Sequence, residues 1–159
     1  GQTLSSNDLE NQIWVANFIF TKCAGTCPML TRRMQDVARW METNGTDQMK
    51  IVSFSVDPDR DTPANLKAYA TSFGIDTNRW SFVTGPKGAL RKTIIGGFKI
   101  GMEEVDIDDS ELTLFDIVHG ERFALVDGKG TVRGYYAADL AGIQKLISAL
   151  NTLQNNSGS

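Results

Sequence analysis

The sequence predicts a mixed α/β domain, a central mixed sheet flanked by helices, and three observations carry that expectation. Ile13 to Phe20 is a nearly unbroken run of β-formers, as a strand covered on both faces would be, and helical spacing follows it at Leu30, Met34, Val37 and Met41. Two further strand-then-helix units follow within the first hundred residues, so the early strands are expected to run parallel. Late in the chain, Asp127-Gly128-Lys129-Gly130 sits between two strand-like runs and signals a hairpin.

Taken in order, residues 1–12 read as a polar lead-in with Leu4 and Leu9 as isolated apolar anchors. The first strand ends at Thr21-Lys22, and a loop carries Cys23 and Cys27. Pro28 suits the first helical position, where a missing N–H is not needed, which puts Cys27 at the helix N-cap and Cys23 in the loop above the strand. Asn44-Gly45 is the C-cap signal for that helix. Lys50 to Val56 is a second buried strand, running into the charged turn Asp57-Pro58-Asp59-Arg60-Asp61. Thr62-Pro63 opens the second helix as N-cap and first-turn proline, Leu66, Ala70 and Phe73 form its inward stripe, and Gly74 stops it. Trp80 to Val83 is a short third strand. Gly85-Pro86 opens a third helix with Leu90 and Ile94 inward, ending at Gly96-Gly97.

Residues 99–112 form an acidic stretch with Glu103, Glu104, Asp106, Asp108, Asp109 and Glu111, read as an exposed loop. It is not a calcium loop, because counting from Asp106 the sixth position is Glu111 rather than glycine. Thr113 to Val118 and Arg122 to Val126 read as strands with His119-Gly120 between them or at a kink. Thr131 to Tyr136 is the last strand, and Leu140, Ile143, Ile147 and Leu150 give a final amphipathic helix. The order β-α-β-α-β-α-β-β-α is a thioredoxin-like plan with an inserted helix and a C-terminal β-hairpin plus helix. A single domain is expected over residues 1–153, with 154–159 as a polar tail.

At 159 residues the chain can bury a real core, and its 41% hydrophobic and 22% charged composition is ordinary for a globular domain. A net charge of −3 argues against nucleic acid as a partner. No apolar run approaches the roughly 18 residues that a membrane-spanning helix needs. The chain begins at Gly1 rather than Met, which leaves room for an upstream signal or anchor. Two cysteines are too few for a disulfide scaffold; a close pair suits redox or metal chemistry.

Three readings compete for Cys23 and Cys27. Their spacing across a helix start puts the Cα atoms at roughly 6 Å, within disulfide range. The same two thiolates suit a soft metal such as Cu(I), with one imidazole completing a low-coordination site. Zinc fits less well, because a structural zinc site takes four ligands and only three soft ones exist here. The third reading is a pair of inert buried thiols, and Gly25, Thr26 and Pro28 argue against it by making the segment a turn. Both sulfurs are expected to face the positive end of the helix dipole, which favours thiolate. His119, the only histidine, would by itself be an ordinary surface or core residue. On this fold plan, however, the strand after it starts beside the cysteine loop, where one imidazole reaches both sulfurs.

Other features have plainer explanations. The Asp57–Asp61 turn reads as locked by carboxylate caps and ion pairs, with partner docking as the alternative. Met29, Met34 and Met41 read as core filling rather than a copper relay, and Met102 is the better relay candidate. The acidic stretch reads as solvated, with steering of a basic partner or of copper ions as its alternative role. The sequon at Asn44-Gly45-Thr46 is discounted as a chance match.

The segment FIFTKCAGTCP, Phe18 to Pro28, resembles the F-x-x-T-x-C-x-x-x-C-P motif of the Sco/SenC family. Ser55 to Ala70, SVDPDRDTPANLKAYA, is similar to that family's S-V-D-P-x-R-D-T-P stretch and the helix after it. FGIDTNRWSFVTG from Phe73 and IVHGERFALVDGKGTVRGYY from Ile117 extend the likeness over nearly all of residues 1–150. The resemblance implies a membrane-tethered copper chaperone on the periplasmic or another extracytoplasmic face, with a thioredoxin fold and with copper ligands at Cys23, Cys27 and His119. It implies a role in building the dinuclear copper site of cytochrome c oxidase subunit II, by delivering copper or by reducing that site's cysteines. Many members carry Asp before the histidine; here the residue is Val118, so a supporting carboxylate must come from elsewhere, such as Asp116. The family's first strand also precedes the point where this chain begins.

The residues themselves help choose between copper carrier and oxidoreductase. Thioredoxin-like reductases resemble one another in C-x-x-C spacing and a cis-proline facing the pair. Here three residues separate the cysteines, and Pro28, Pro58, Pro63 and Pro86 all lie far from the strand at 122–126. A peroxiredoxin pattern fails at Cys23, where Ala16 and Phe20 hold the key places. The expectation is therefore a monomeric metallochaperone for copper, Cu(I) or Cu(II), rather than an enzyme, served by a copper donor and a thiol reductase of the thioredoxin type. A thiol–disulfide oxidoreductase with Cys23 as attacking thiol is the alternative, and a binding module with an idle cysteine pair a third possibility.

Overall fold

A computed structural model describes residues 1–44, 47–98 and 121–157. The acidic stretch, Met102, the expected strand at 113–118, Asp116, Val118, His119 and the sequon's Gly45 and Thr46 lie outside the described residues.

Five strands form one sheet in the order β3-β2-β1-β4-β5. They are β1 (Ile13–Ile19), β2 (Met49–Ser55), β3 (Trp80–Val83), β4 (Arg122–Val126) and β5 (Val132–Ala137). β1 is central and buried along its whole length, as its unbroken apolar run requires. β1, β2 and β3 run parallel, and β4 is antiparallel to both β1 and β5. This is the mixed sheet with a late hairpin that the element order implied.

Helix α1 (Thr26–Asn44) buries Leu30, Met34, Val37 and Met41, the expected stripe, and ends at Asn44 as the C-cap signal indicated. Met34 and Met41 are therefore core residues, whereas Met29 is exposed. In α2 (Pro63–Ser72) the Thr62 hydroxyl accepts from the Asn65 amide at 3.2 Å, so the N-cap and first-turn proline stand as expected. Tyr69, outside the expected stripe, is buried with Leu66 and Ala70. The third helix divides: α3 is only Lys87–Arg91, and Lys92–Gly97 continues it as a wider π-helical turn. Leu90 and Ile94 still point inward. Residues 6–9 of the lead-in form a 3-10 turn, and Leu4 and Leu9 pack on the core.

The expectation of a polar tail from residue 154 needs correction. Helix α4 runs Leu140–Ser157, so the first four tail residues continue the helix. Gln154 ties this end to α1 by donating to the Asn44 carbonyl at 3.2 Å. Polar residues lengthen a helix readily once an apolar stripe has docked its preceding turns.

One face of the sheet carries an aromatic cluster. Phe98 meets Phe18, Phe54 and Trp14 with ring centroids 5.4, 5.5 and 5.9 Å away. Alternation turns Val15, Asn17 and Ile19 to the opposite face. There Asn17 accepts a hydrogen bond from the Ser53 hydroxyl, whose oxygen in turn accepts from the Trp80 indole N–H at 2.7 Å. The polar pair thus sits mid-sheet, between the two parallel strands that lead to the site.

Gly142 and Gly88 provide a paired stability test. A Cβ on Gly142 would lie 2.7 Å from the Ala137 carbonyl carbon, backbone that cannot step aside, whereas a Cβ on Gly88 meets nothing within 4 Å. Gly142→Ala should therefore cost about 1–3 kcal/mol. Gly88→Ala should be neutral or stabilise by up to about 1 kcal/mol through helix propensity. Urea unfolding of the two variants checks both signs.

Candidate functional site

β1 and β2 end side by side, and the site is built on their carboxyl ends. Val56 donates its N–H to the Ile19 carbonyl at 2.9 Å, prolonging the pairing one step past the strands. Beyond that point β1 becomes the cysteine loop and β2 becomes the turn at residues 57–61. Asp61, only 1% exposed, joins the two. Its carboxylate accepts from the Thr21 hydroxyl at 2.6 Å, the Thr21 amide at 3.2 Å and the Ser55 hydroxyl at 2.6 Å. A buried carboxylate tolerates desolvation only with such donors. The turn is locked from within as well: Asp61 N–H donates to the Asp57 carbonyl at 2.9 Å, and Arg60 pairs with buried Asp57 at 2.8 Å. The locked-turn reading of the charged residues is the one the geometry bears out.

From Thr21 the chain makes a tight turn, Cys23 donating its amide to the Phe20 carbonyl at 3.2 Å, and enters α1 at Thr26. The expected N-cap position of Cys27 is corrected here. Cys27 is the second residue of the helix and Pro28 the third, which proline tolerates because the first four N–H groups have no helical partner. The sulfur at the helix mouth is that of Cys23, which accepts from the Cys27 amide at 3.3 Å.

The two thiols, both free, therefore sit in different environments. Burial pushes half-buried Cys23 up, but hydrogen bonds from Cys27 and from the Gly25 and Thr26 amides outweigh it, and its pKa lies below the ordinary thiol value. Cys27 is fully buried, and that burial pushes it up to about 12, helped by the neighbouring Cys23 and Asp61 charges. The expectation that the helix dipole favours thiolate at both sulfurs holds for Cys23 and fails for Cys27. Desolvation outweighs a half-charge at the helix end once a sulfur is sealed into the core.

Beneath the pair, the buried Tyr69 hydroxyl shares a 2.7 Å hydrogen bond with Thr31 and lies 3.5 Å from the Cys27 carbonyl. Burial raises its pKa to about 12, so the phenol stays neutral. Thr21, Thr31 and Tyr69 are site residues that sequence reasoning did not single out, and Asp61 entered it only as part of the charged turn. Thr21 and Asp61 stood inside the two quoted motifs, but nothing in their spacing shows that they touch.

Among the described residues no group of three His, Cys, Asp or Glu side chains is gathered as a metal site. His119 and Asp116 lie outside the described residues. What the structure does place is Arg122, three residues after His119. The antiparallel register Trp14↔Val126 and Ala16↔Ala124 puts the start of β4 at the cysteine end of β1. Glu121, just before it, takes a left-handed φ of 46°. Among the described residues, the carboxylate hydrogen-bonded to the loop after β1 is Asp61.

Two measurements probe this site. Cys23 should be alkylated by iodoacetamide along a pH profile shifted below that of a free thiol, because its lowered pKa exposes thiolate earlier. Cys27 should stay unlabelled until pH approaches 12 or the protein unfolds; mass mapping of the labelled cysteine reads both. Asp61→Ala leaves the Thr21 and Ser55 donors without their acceptor and should cost about 3 kcal/mol in urea unfolding at neutral pH, with Asp61→Asn costing less.

Similarities to known proteins agree with this architecture. The SCO1/SenC family profile matches residues 1–155. The SCO1 protein homolog of Bacillus subtilis (strain 168) is 31% identical over 133 residues, 83% of this chain, and the match spans 65% of that protein's length. A putative copper-binding protein of Stutzerimonas stutzeri is 26% identical over 92% of this chain and 69% of its own. Among solved structures, BsSco, described as a Sco-family cytochrome c oxidase assembly protein with a disulfide switch, superposes with a TM-score of 0.77. It is 27% identical and covers 97% of this chain and 87% of its own. A dithiol at the mouth of α1, a thioredoxin-like sheet beneath it and a family profile matching almost end to end together show that the chain belongs to the SCO1/SenC family.

Proposed function

We propose that this protein carries copper to the assembly of cytochrome c oxidase, holding the ion between Cys23, Cys27 and His119. The observation that supports this most directly is the reduced pair at the mouth of α1, with one sulfur presented by backbone amides and the other sealed beneath it. Two soft sulfurs so placed suit Cu(I), and an imidazole serves Cu(I) and Cu(II) alike. The cysteine end of β1 receives the start of β4 at Arg122, and His119 precedes Arg122 by three residues in the sequence. In this reading copper is cargo. It is taken from a copper donor and released to subunit II of the oxidase, where it builds the dinuclear copper site. Oxidation of the pair to a disulfide removes two electrons and two protons and abolishes the site, so a thioredoxin-type reductase is needed to reset the carrier.

The family resemblance supports an extracytoplasmic location with an N-terminal membrane tether. No described helix is long and apolar enough to cross a membrane. The carrier acts as a monomeric single domain, without nucleic acid and without catalytic turnover of its own.

A second reading rests on the contrast between the thiols. A half-buried thiol with a lowered pKa above a buried one with a raised pKa is also the arrangement of an attacking and a resolving cysteine. In that case Cys23 attacks a target disulfide, and Cys27 releases the reduced target by closing the internal disulfide.

Copper titration of the reduced protein, followed by sulfur-to-copper charge-transfer absorption, separates the two readings. Near-stoichiometric uptake is expected, lost in Cys23→Ser and weakened in His119→Ala with the fold unchanged. Normal uptake by Cys23→Ser defeats the carrier reading, and efficient insulin reduction without metal favours the oxidoreductase. Copper must displace the Cys27 proton, so apparent Cu(I) affinity should rise about tenfold per pH unit for that one proton until pH nears 12. Competition with a Cu(I) chelator across pH measures the slope.

A further inference from the structure

The exposed face of α1 carries a groove that the cysteine chemistry does not use. It has a volume of about 830 Å³ and starts at Ala24 and Gly25, in the loop between the two cysteines. From there it follows Pro28, Met29, Arg32 and Arg33 to Asp36 and Arg39. The eleven helical steps from Pro28 to Arg39 make it about 16 Å long.

Its charge runs against that of the chain. The protein is net −3, yet the groove holds three guanidinium groups and one carboxylate. That carboxylate, Asp36, is engaged by Arg39. Arg32 and Arg33 form no ion pair with any described residue, and exposed Lys22 adds a positive charge on the other side of Cys23. At the cysteine end the groove is open and apolar: Met29 is 38% exposed, and a Cβ built on Gly25 meets nothing within 4 Å. Exposed methionine on a helix next to a reactive loop is an adaptable contact for a partner's side chains.

We propose that this groove is the docking surface for an acidic segment of the protein that exchanges with Cys23. The guanidinium groups steer and align the acidic segment along α1, and the exposed Ala24-Gly25 loop lets its reactive group reach the half-buried sulfur. The inference rests on the reading that Cys23 exchanges with a protein partner. It concerns how that partner is recognised, and it is tested without metal.

The test uses three peptides of equal length, rich in glutamate, neutral, or rich in lysine, each carrying one cysteine as a mixed disulfide with thionitrobenzoate. The Cys23 thiolate attacks the peptide sulfur, forming a protein–peptide disulfide and expelling coloured thionitrobenzoate. Cys27 then displaces the peptide thiolate, so the dithiol loses two electrons and the probe gains them. The readout is the ratio of acidic to neutral peptide rates. About tenfold is expected at low ionic strength, collapsing towards one in 0.5 M salt. The ratio should fall towards one in R32Q/R33Q and below one in R32E/R33E, with circular dichroism confirming the fold of each. A wild-type ratio near one, a faster lysine-rich peptide, or a ratio unchanged in both variants overturns the proposal. Cosedimentation with phosphatidylglycerol vesicles that is lost in R32E/R33E, without any peptide preference, also overturns it and makes the groove a lipid surface. Failure to take up copper leaves these rates untouched, so the two readings fail separately.

Discussion

The site depends on one buried carboxylate. Asp61 sits where two parallel strands end, and it accepts hydrogen bonds from Thr21, in the loop after β1, and from Ser55, the last residue of β2. Without it, the turn after β2 and the loop after β1 would leave the sheet independently, because no described residue other than Asp61 hydrogen-bonds both Thr21 and Ser55. With it, the cysteine loop starts from a fixed point and α1 enters at a fixed angle. A carboxylate with three donors in a dry environment is expensive to break, so the arrangement is rigid where the chemistry needs it.

That rigidity lets two chemically identical side chains differ. Cys23 and Cys27 are four residues apart, yet one lies in a cluster of backbone amides and the other in the core. The difference comes from where the helix begins. Had Cys27 been the cap, both sulfurs would have shared the helix mouth and its amide donors. Starting the helix at Thr26 instead turns Cys27 inward with Leu30 and Thr31, and gives the mouth to the sulfur of Cys23. A dithiol with one ready nucleophile and one protonated reserve serves a metal carrier and a thiol exchanger alike. What separates the two readings is the proposed third ligand, His119.

The surface divides its labour in a similar way. The charged turn at 57–61 engages all its carboxylates, Asp57 with Arg60, Asp59 with Lys87, and Asp61 with Thr21 and Ser55. On the face of α1, by contrast, Arg32 and Arg33 form no ion pair with any described residue. Charges that could have been satisfied locally are so in the first case and not in the second, and that contrast separates a structural turn from a docking face.

Much of this protein was readable before any coordinates. Strand and helix positions followed from periodicity, because a strand buried on both faces has to be continuously apolar and a docked helix has to carry its stripe. The Thr62-Pro63 helix start and the late hairpin followed from local chemistry with one geometric solution each. The end of α4 did not, since polar residues at 154–157 carry no stripe and become helical only because preceding turns are docked. The contact between Thr21 and Asp61, forty residues apart, was equally hidden: spacing constrains neighbours along a chain, and this pair is made by two strands ending side by side. Tertiary structure also decided which cysteine is reactive. Sequence supplies two sulfurs and a helix dipole, but burial, a property of the whole fold, outweighs the dipole at one of them.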